Sequence, residues 1–539
     1  MDSKIARKVA RSKIPPPPDG RCIINQLPPE LLAYIFQLGV ELEAEGEDDE
    51  DLFSDISSET EEEKPYLPFE VLVSHVCKHW RDIATNLPNL WTSIDFAGPY
   101  DRSITYLERA QQAPLDISLD LEDLDADDPE VKDLITIAGL ILPRVSQWRT
   151  FELIVSDFSL MAIVLKNLSA CPAAPILESL SLYNHDNIED MDHFEPAALR
   201  DVPELLFNGN VPRLKKIALW GVHLLWERTP FLKNLEEIEL AYHAEDVRPS
   251  YKVFTNMLKE SPNLRSLALC NSGPAGGPVD WLESVTEGHE GEPVPPPTTQ
   301  ISLPSLNQLA LTYESAPYVT SLMQRLEVPN LADLSLDLEA DDYGTFLSMI
   351  SKPTAKQKKP LLTGLTHLKI TDIVCSHVTV YEALNTLENV TSLNLNFHYL
   401  DLIWYDLLMG DSRGVEGINL NDRVLCPKLK EFTSRGLSGT LVLAFVKRRE
   451  EAGKSLSKVL LEDTDELEED EERQIKEHVE LEFFEGSDTE DEDEDFPGLV
   501  DLMVEGLEDE EEEENVEGDV EADDGNEEWT TDSDMDDLD

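Results

Sequence analysis

The sequence predicts an α/β repeat protein: an all-α N-terminal segment, then an irregular solenoid of parallel strands, then an acidic disordered tail. Three observations carry that expectation. Six-residue Leu-x-x-Leu-x-Leu motifs recur, with their first apolar residue at 177, 214, 235, 264, 306, 331, 365, 390 and, weakly, 429. Two earlier stretches, 27–38 and 67–85, instead space their apolar residues as helices do. Charge, finally, is segregated. Of a net charge of -68, the stretch 41–63 carries -13 and 462–539 carries -39, so the remaining 438 residues share only -16. The body is thus an ordinary, mildly acidic globular protein with two polyanionic attachments.

The first 21 residues combine a basic leader (Lys4, Arg7, Lys8, Arg11, Lys13) with the stiff spacer Pro15-Pro16-Pro17-Pro18-Asp19-Gly20. A disordered leader is expected there, an import signal being the other reading. The segment 22–96 follows. Its first helix opens Leu27-Pro28-Pro29-Glu30, with Leu31, Ile35 and Leu38 on one face and Leu32 and Phe36 beside them. Proline in a first turn is harmless, because the amide it lacks would have had no helical partner. The second stretch repeats the opening as Leu67-Pro68-Phe69-Glu70, and Leu72, Val76, Trp80 and Ile83 recur at helical spacing before Leu90-Trp91 closes the segment. Two short helices and a tryptophan cannot close a core of their own, so a surplus apolar face has to meet the rest of the chain or a second protein. Between them, 41–63 holds thirteen acidic and no basic residues and is expected to be a loop in water.

This segment resembles an F-box, on Leu27-Pro28-Pro29-Glu30, Ile35-Phe36, Val76-Cys77-Lys78-His79-Trp80-Arg81 and Leu90-Trp91, all in the family's order. The acidic insertion stands where the family usually has a short connection, and in this the chain is similar to fungal F-box proteins with such an insertion. The resemblance implies that Leu27, Pro28, Leu31, Ile35, Phe36, Val76, Trp80, Leu90 and Trp91 build or support a surface for the small adaptor subunit of an SCF-type cullin-RING ubiquitin ligase. Cullin would be reached through that adaptor, and the rest of the chain would select the protein to be ubiquitinated.

From Asp101 the chain alternates: a helix over 103–111, a strand over 115–121, a helix over 129–142 and a strand over 148–155. The leucine motifs follow, with gaps of 37, 21, 29, 42, 25, 34, 25 and 39 residues. These units resemble leucine-rich repeats, degenerate ones, since regular repeats hold roughly 20 to 29 residues. The repeat region is placed at 97–461. Leucines at places one, four and six point into the stack, and neighbours bury what one unit alone cannot. The residues between them line the other, concave face: Tyr183, Lys216, Trp220, Glu237, Glu239, Asp333, Asp337, His367, Lys369 and Arg435, with Gln308, Thr312, Asn394, Asn396 and Glu431. Exposed aromatics beside charges suit protein recognition. The Gly- and Pro-rich stretch 271–300 predicts a long loop, a disordered excursion or a flap over the arc, and the basic loop 351–360 is a candidate partner of the acidic tail. A last helix and strand are expected over 462–485, and acidic disorder over 486–539.

No phosphate-cradling glycine loop, nucleophile elbow or His-Glu-x-x-His helix occurs. The six cysteines are scattered, without a Cys-x-x-Cys pair, and should be reduced thiols. Neither His75, Cys77 and His79 nor His185, Asp186, Asp190, Asp192 and His193 has the pattern of a metal site. Ser58, Thr60, Ser487 and Thr489 each precede an acid by three residues, as acid-directed kinases favour. The expectation is a non-catalytic intracellular receptor subunit without cofactor or metal, binding the adaptor and an unknown protein, a basic one being the partner its charge suits, and neither nucleic acid nor membrane. The competing expectation is a repeat scaffold, or an acidic protein that binds histones or other basic proteins, whose N-terminal helices merely cap the array.

Overall fold

The structure, a computed structural model, describes residues 24, 27–47, 67–96, 100–121, 131–185, 192–200, 204–281, 300–353, 358–411, 415, 420, 423–463, 467 and 469–484. The leader, most of the acidic insertion, the acidic tail and the four kinase-type positions lie outside these residues.

Among the described residues fourteen strands form one sheet in which every pairing is parallel and the order along the sheet is the order along the chain. They are β1 (Ser93–Ile94), β2 (Leu115–Leu121), β3 (Trp148–Val155), β4 (Ser179–Asn184), β5 (Lys216–Trp220), β6 (Glu237–Ala241) and β7 (Ser266–Cys270). After them come β8 (Gln308–Thr312), β9 (Asp333–Asp342), β10 (His367–Val374), β11 (Ser392–Asn396), β12 (Glu431–Arg435), β13 (Lys458–Glu462) and β14 (Glu480–Phe484). Each strand in the leucine series starts two residues after the first leucine of its motif. That leucine instead closes the turn before the strand, as Leu177 does when its amide bonds the Ala174 carbonyl at 3.4 Å. All three leucines of the motif remain buried, for example Leu177, Leu180 and Leu182, each contributing roughly 2 kcal/mol by leaving water.

What covers the leucine face differs between crossovers. Gaps of 25 or 29 residues hold the helices Tyr251–Lys259, Ala316–Arg325 and His377–Thr386, whereas the 21-residue gap from 214 to 235 leaves room only for the short 3-10 turn Trp226–Arg228. A second device recurs at the strand ends. Gly221, Tyr242, Asn271 and Tyr313 have φ of +61°, +51°, +44° and +54°, and their amides donate to the carbonyls of Ala241, Cys270, Thr312 and Asp337, each at 2.9 Å. A left-handed residue thus turns each unit off the sheet while bonding it to the next. Two of these positions are tyrosine, which is why composition does not announce the turn.

The N-terminal helices depart from expectation in two ways. The first, α1 (Pro29–Glu47), runs on into the acidic stretch that was expected to be loop. The second breaks at Cys77, whose extended backbone (φ -160°, ψ 170°) divides α2 (Phe69–Val76) from α3 (Lys78–Ala84). The first change has a visible partner: α1 packs against α2 and α3, and its extension delivers Glu43 to the start of α2. There the carboxylate accepts the Phe69 amide at 2.9 and 3.0 Å, supplying an acidic cap to a helix N-terminus that Pro68 cannot cap. Gly39 makes the approach possible, since a Cβ there would collide with the Phe69 ring.

Most of the excursion expected over 271–300, residues 282–299, lies outside the described residues. Trp281, at the start of that excursion, stacks on Tyr251 (5.3 Å) and meets Tyr318 edge-on (4.9 Å) on the helix side. Lys352 of the basic loop pairs with Glu382 at 3.0 Å. Just past the end of β6, His243 is buried, with Nδ1 2.9 Å from Ser272 Oγ and Nε2 3.0 Å from the Val222 carbonyl. Burial pushes its pKa down to about 3, so the ring is neutral and Nε2 carries the hydrogen.

Candidate protein-interaction surfaces

Two surfaces remain once the leucine core is closed. The first is on the N-terminal helices. Leu32 and Phe36 of α1 are fully buried, and Phe36 meets the half-buried Trp80 at 5.0 Å between ring centroids. Because α1 carries more apolar residues than one face can bury, the others point outward: Leu31, Tyr34 and Leu42 expose half or more of their surface, Ile35 and Leu38 over a third. On α2, Leu72 and Val76 are exposed in the same way, 46% and 60%, because the break at Cys77 turns them away from the line followed by Trp80 and Ile83. Apolar exposure concentrated on two packed helices is unusual for a finished surface.

Of the predicted adaptor residues, Leu31, Ile35 and Val76 are thus outward, with Pro28 exposed and Leu27 and Trp80 half-buried. Phe36, Leu90 and Trp91 are not surface residues at all. They are buried and support the outer ones from below. Trp91 donates its indole N–H to the Ala84 carbonyl at 2.8 Å, meets Tyr106 edge-on at 5.0 Å, and lies under Arg109 at 4.2 Å. Glu70, kept above its usual pKa by burial, accepts from the Tyr106 hydroxyl at 2.6 Å, so the helices are bonded to the first unit of the sheet.

The second surface is the sheet face opposite the leucines. Here two of the predicted anchors are in a different state from the one expected. Tyr183 and Trp220 are buried, 7% and 6% exposed, because their rings pack on each other edge-on at 5.2 Å. Tyr242 and His185 complete the group at 5.7 and 5.8 Å from the Trp220 ring. These two sit just after their strands, beyond the Leu-x-x-Leu-x-Leu window, which is why pattern reading missed them. Glu239 lies beneath, 3% exposed, accepting the Trp220 indole N–H at 2.7 Å.

Lys216 is exposed but engaged by Glu237 at 2.7 Å. Asp337 is buried, Asp333 and Lys369 are half-buried and His367 is exposed, all further along the sheet. Arg435 stands apart on β12, 3.6 Å from Glu462 and over the Phe484 ring. The structure therefore brings together Tyr183, Trp220, Glu239 and, one facing position away, Lys216 and Glu237, and it separately sets Asp333 opposite His367 on the neighbouring strands β9 and β10. Burial raises the pKa of Glu152 and Asp333 on this face, and that of Glu239 to about 7.

That shift sets a sign that can be checked. A carboxyl whose folded pKa lies above its ordinary value of 4.5 binds a proton on folding, so its contribution is most favourable below pH 4.5 and is lost as pH rises towards 7. Glu239→Gln keeps the acceptor for Trp220 and removes the charge. Its unfolding free energy should match wild type near pH 4 and exceed it above pH 7 by about 3 kcal/mol, measured by denaturant titration at both pH values. Equal stabilities at pH 8 would show that the carboxylate is solvated after all.

Among the described residues no three His, Cys, Asp or Glu side chains are placed to hold a metal ion, and no helix is long and apolar enough to cross a membrane. None of the five described cysteines forms a disulfide. No protein-family model matches the chain, and no curated protein matches it.

Proposed function

We propose that this chain is the substrate-recognition subunit of an SCF-type cullin-RING ubiquitin ligase, acting in the cytoplasm or nucleus. In this reading the N-terminal helices are an F-box, the parallel sheet is a degenerate leucine-rich-repeat array, and catalysis resides in other subunits. One observation supports it above the rest: Leu31, Ile35, Leu72 and Val76, apolar and exposed, lie on helices whose opposite faces are tied into the core through Phe36, Trp80 and Trp91. A docking face needs both, an apolar surface left open and a rigid support behind it.

The competing reading, a scaffold whose helices only cap the sheet, draws on the burial of Leu90 and Trp91 in the leucine core. It accounts for the inner face of the helices and leaves the outer one without a role.

Leu31→Asp combined with Val76→Asp tests the proposal. Both residues are exposed, so the fold and the thermal transition should be unchanged. Placing two charges at the centre of an apolar interface should weaken capture of the adaptor at least about 30-fold, read by co-purification with the adaptor and cullin. Undiminished capture, or no adaptor among the proteins bound by wild type, would count against the assignment.

A further inference from the structure

Away from the N-terminal helices, seven large apolar residues stay exposed among the described residues, and four of them share one place. Val374, Val378, Tyr399 and Leu402 each expose about half of their surface. Val374 ends β10, Val378 lies in the first turn of the helix His377–Thr386 that follows, and Tyr399 and Leu402 stand in the connection after β11. Because β10 and β11 are neighbouring parallel strands, all four come out on the same edge of the sheet, at the carboxyl ends of its strands. Apolar residues exposed singly are ordinary, whereas a group of them marks a surface that something covers.

Carboxylates border this group. Asp342 ends β9 and stands in register with Val374, and Asp401 precedes Leu402 with one oxygen 3.8 Å from His377 Nε2. Burial, with the fields of Asp342 and Asp401, pushes the Cys375 thiol up to about 12, so both carboxylates lie around the residue that follows Val374. Asp341, beside Asp342, is exposed as well. Each of the three holds the first amide of a helix with one oxygen: Asp341 that of Ala316 at 3.0 Å, Asp342 that of Gly344 at 2.8 Å and Asp401 that of Ile403 at 2.8 Å.

Capping accounts for the carboxylates and fixes them in place. It does not account for the apolar residues left open between them. Among the described residues no lysine or arginine pairs with Asp341, Asp342 or Asp401, so the second oxygens remain available to a cation.

That charge selects the occupant. A second copy of the chain docked by two-fold symmetry would bring the same carboxylates together, and an anionic lipid surface or a nucleic acid would be repelled. A cationic segment with apolar residues matches both features.

We propose that this edge docks a basic, apolar-bearing segment of the target protein, its apolar side chains over Val374, Val378 and Leu402 and its lysine or arginine on the second oxygens of Asp342 and Asp401. The proposal deepens the receptor reading and rests on it, since it assumes that the array receives a target. The apolar centre supplies the affinity, and the carboxylates set the direction in which the segment lies.

The test is a selection from a displayed library of random peptides on the full chain, at physiological salt so that the acidic stretches elsewhere are screened, followed by titration of the enriched peptides. Peptides with lysines or arginines beside apolar residues should be enriched on wild type and not on Val378→Ser with Leu402→Ser, exposed positions at which the fold should be kept. Asp342→Asn with Asp401→Asn retains the capping oxygens and should weaken the same peptides at least about tenfold. The proposal is overturned by the absence of any peptide that depends on Val378 and Leu402, by dependent peptides without basic residues, or by unchanged binding to the Asn variant. If such peptides bind only after residues 1–13 are removed, the chain's own basic leader is the occupant and a target segment is not. Leu31→Asp with Val76→Asp should leave peptide binding intact while adaptor capture is lost. Adaptor capture without peptide binding refutes this surface alone, and peptide binding by a wild-type chain that captures no adaptor refutes the ligase reading and leaves a docking edge on a scaffold.

Discussion

Arg248→Ala should lower the unfolding free energy by about 3–5 kcal/mol, the range found when one partner of a buried ion pair is removed. Arg248 laces three successive units. Its Nε donates to the His243 carbonyl at 2.9 Å, one terminal nitrogen meets Glu314 at 3.0 Å, and the other donates to the carbonyl and side-chain oxygens of Asn271 at 2.8 and 2.9 Å. Both ionic side chains are under a tenth exposed, and the Tyr343 hydroxyl closes the fourth unit on the Glu314 carbonyl at 2.7 Å. Alanine would leave Glu314 buried without its cation and Asn271 without its donor. Because each strand of the sheet pairs only with its neighbours in chain order, the loss should be local: amides of β6 to β8 should lose hydrogen-exchange protection before those of β12 to β14. Arg248→Met with Glu314→Leu should recover much of the deficit, since an apolar pair of similar size avoids the desolvation of both charges. A deficit below about 1 kcal/mol in the single variant would mean that the site is wetter than its geometry shows.

Trp91→Ala should cost a similar amount, about 3–5 kcal/mol, and with a different consequence. The ring is fully buried between α3, the strand β1 and the helix Tyr100–Ala110 that bears Tyr106 and Arg109. Its removal opens a cavity at the junction of the N-terminal helices with the sheet and takes from the Ala84 carbonyl the indole donor at 2.8 Å, leaving it the Leu87 amide at 3.1 Å. Limited proteolysis should therefore cut near α1 to α3 while the sheet beyond β4 stays protected, and adaptor capture should fall in step with the folded fraction of those helices. Unchanged protection of the helices would show that they are held by Leu32, Phe36 and the Tyr106–Glu70 bond without the tryptophan. Comparison with Leu31→Asp and Val76→Asp separates support from contact, because the surface variants should lose capture without losing protection.

Much of this was legible in the residues because leucine spacing reports burial directly. The strands 115–121 and 148–155 fall where alternation puts them, and the final helix and strand, Glu469–His478 and Glu480–Phe484, lie within the predicted 462–485. Helix limits near the acidic insertion were less legible. Charge composition argues for loop from residue 41, and α1 continues because Glu43 gains the Phe69 amide, a partner 26 residues away that no local propensity contains. The open-face site was half legible for the same reason. Periodicity identifies Tyr183, Trp220 and Glu239 as residues of that face, but not that the two rings pack on each other or that the carboxylate beneath is enclosed.

By itself the sequence determined which side chains turn inward along each strand, where strand and crossover alternate, and that the N-terminal helices carry more grease than they can hide. Only the tertiary structure decided which stripe of α1 is hidden, and that the aromatic pair meant to face solvent closes over Glu239 instead. The physical reason is range. Periodicity is a property of consecutive residues, whereas the fate of a surplus apolar or charged group is set by whichever neighbour the register of the sheet brings beside it.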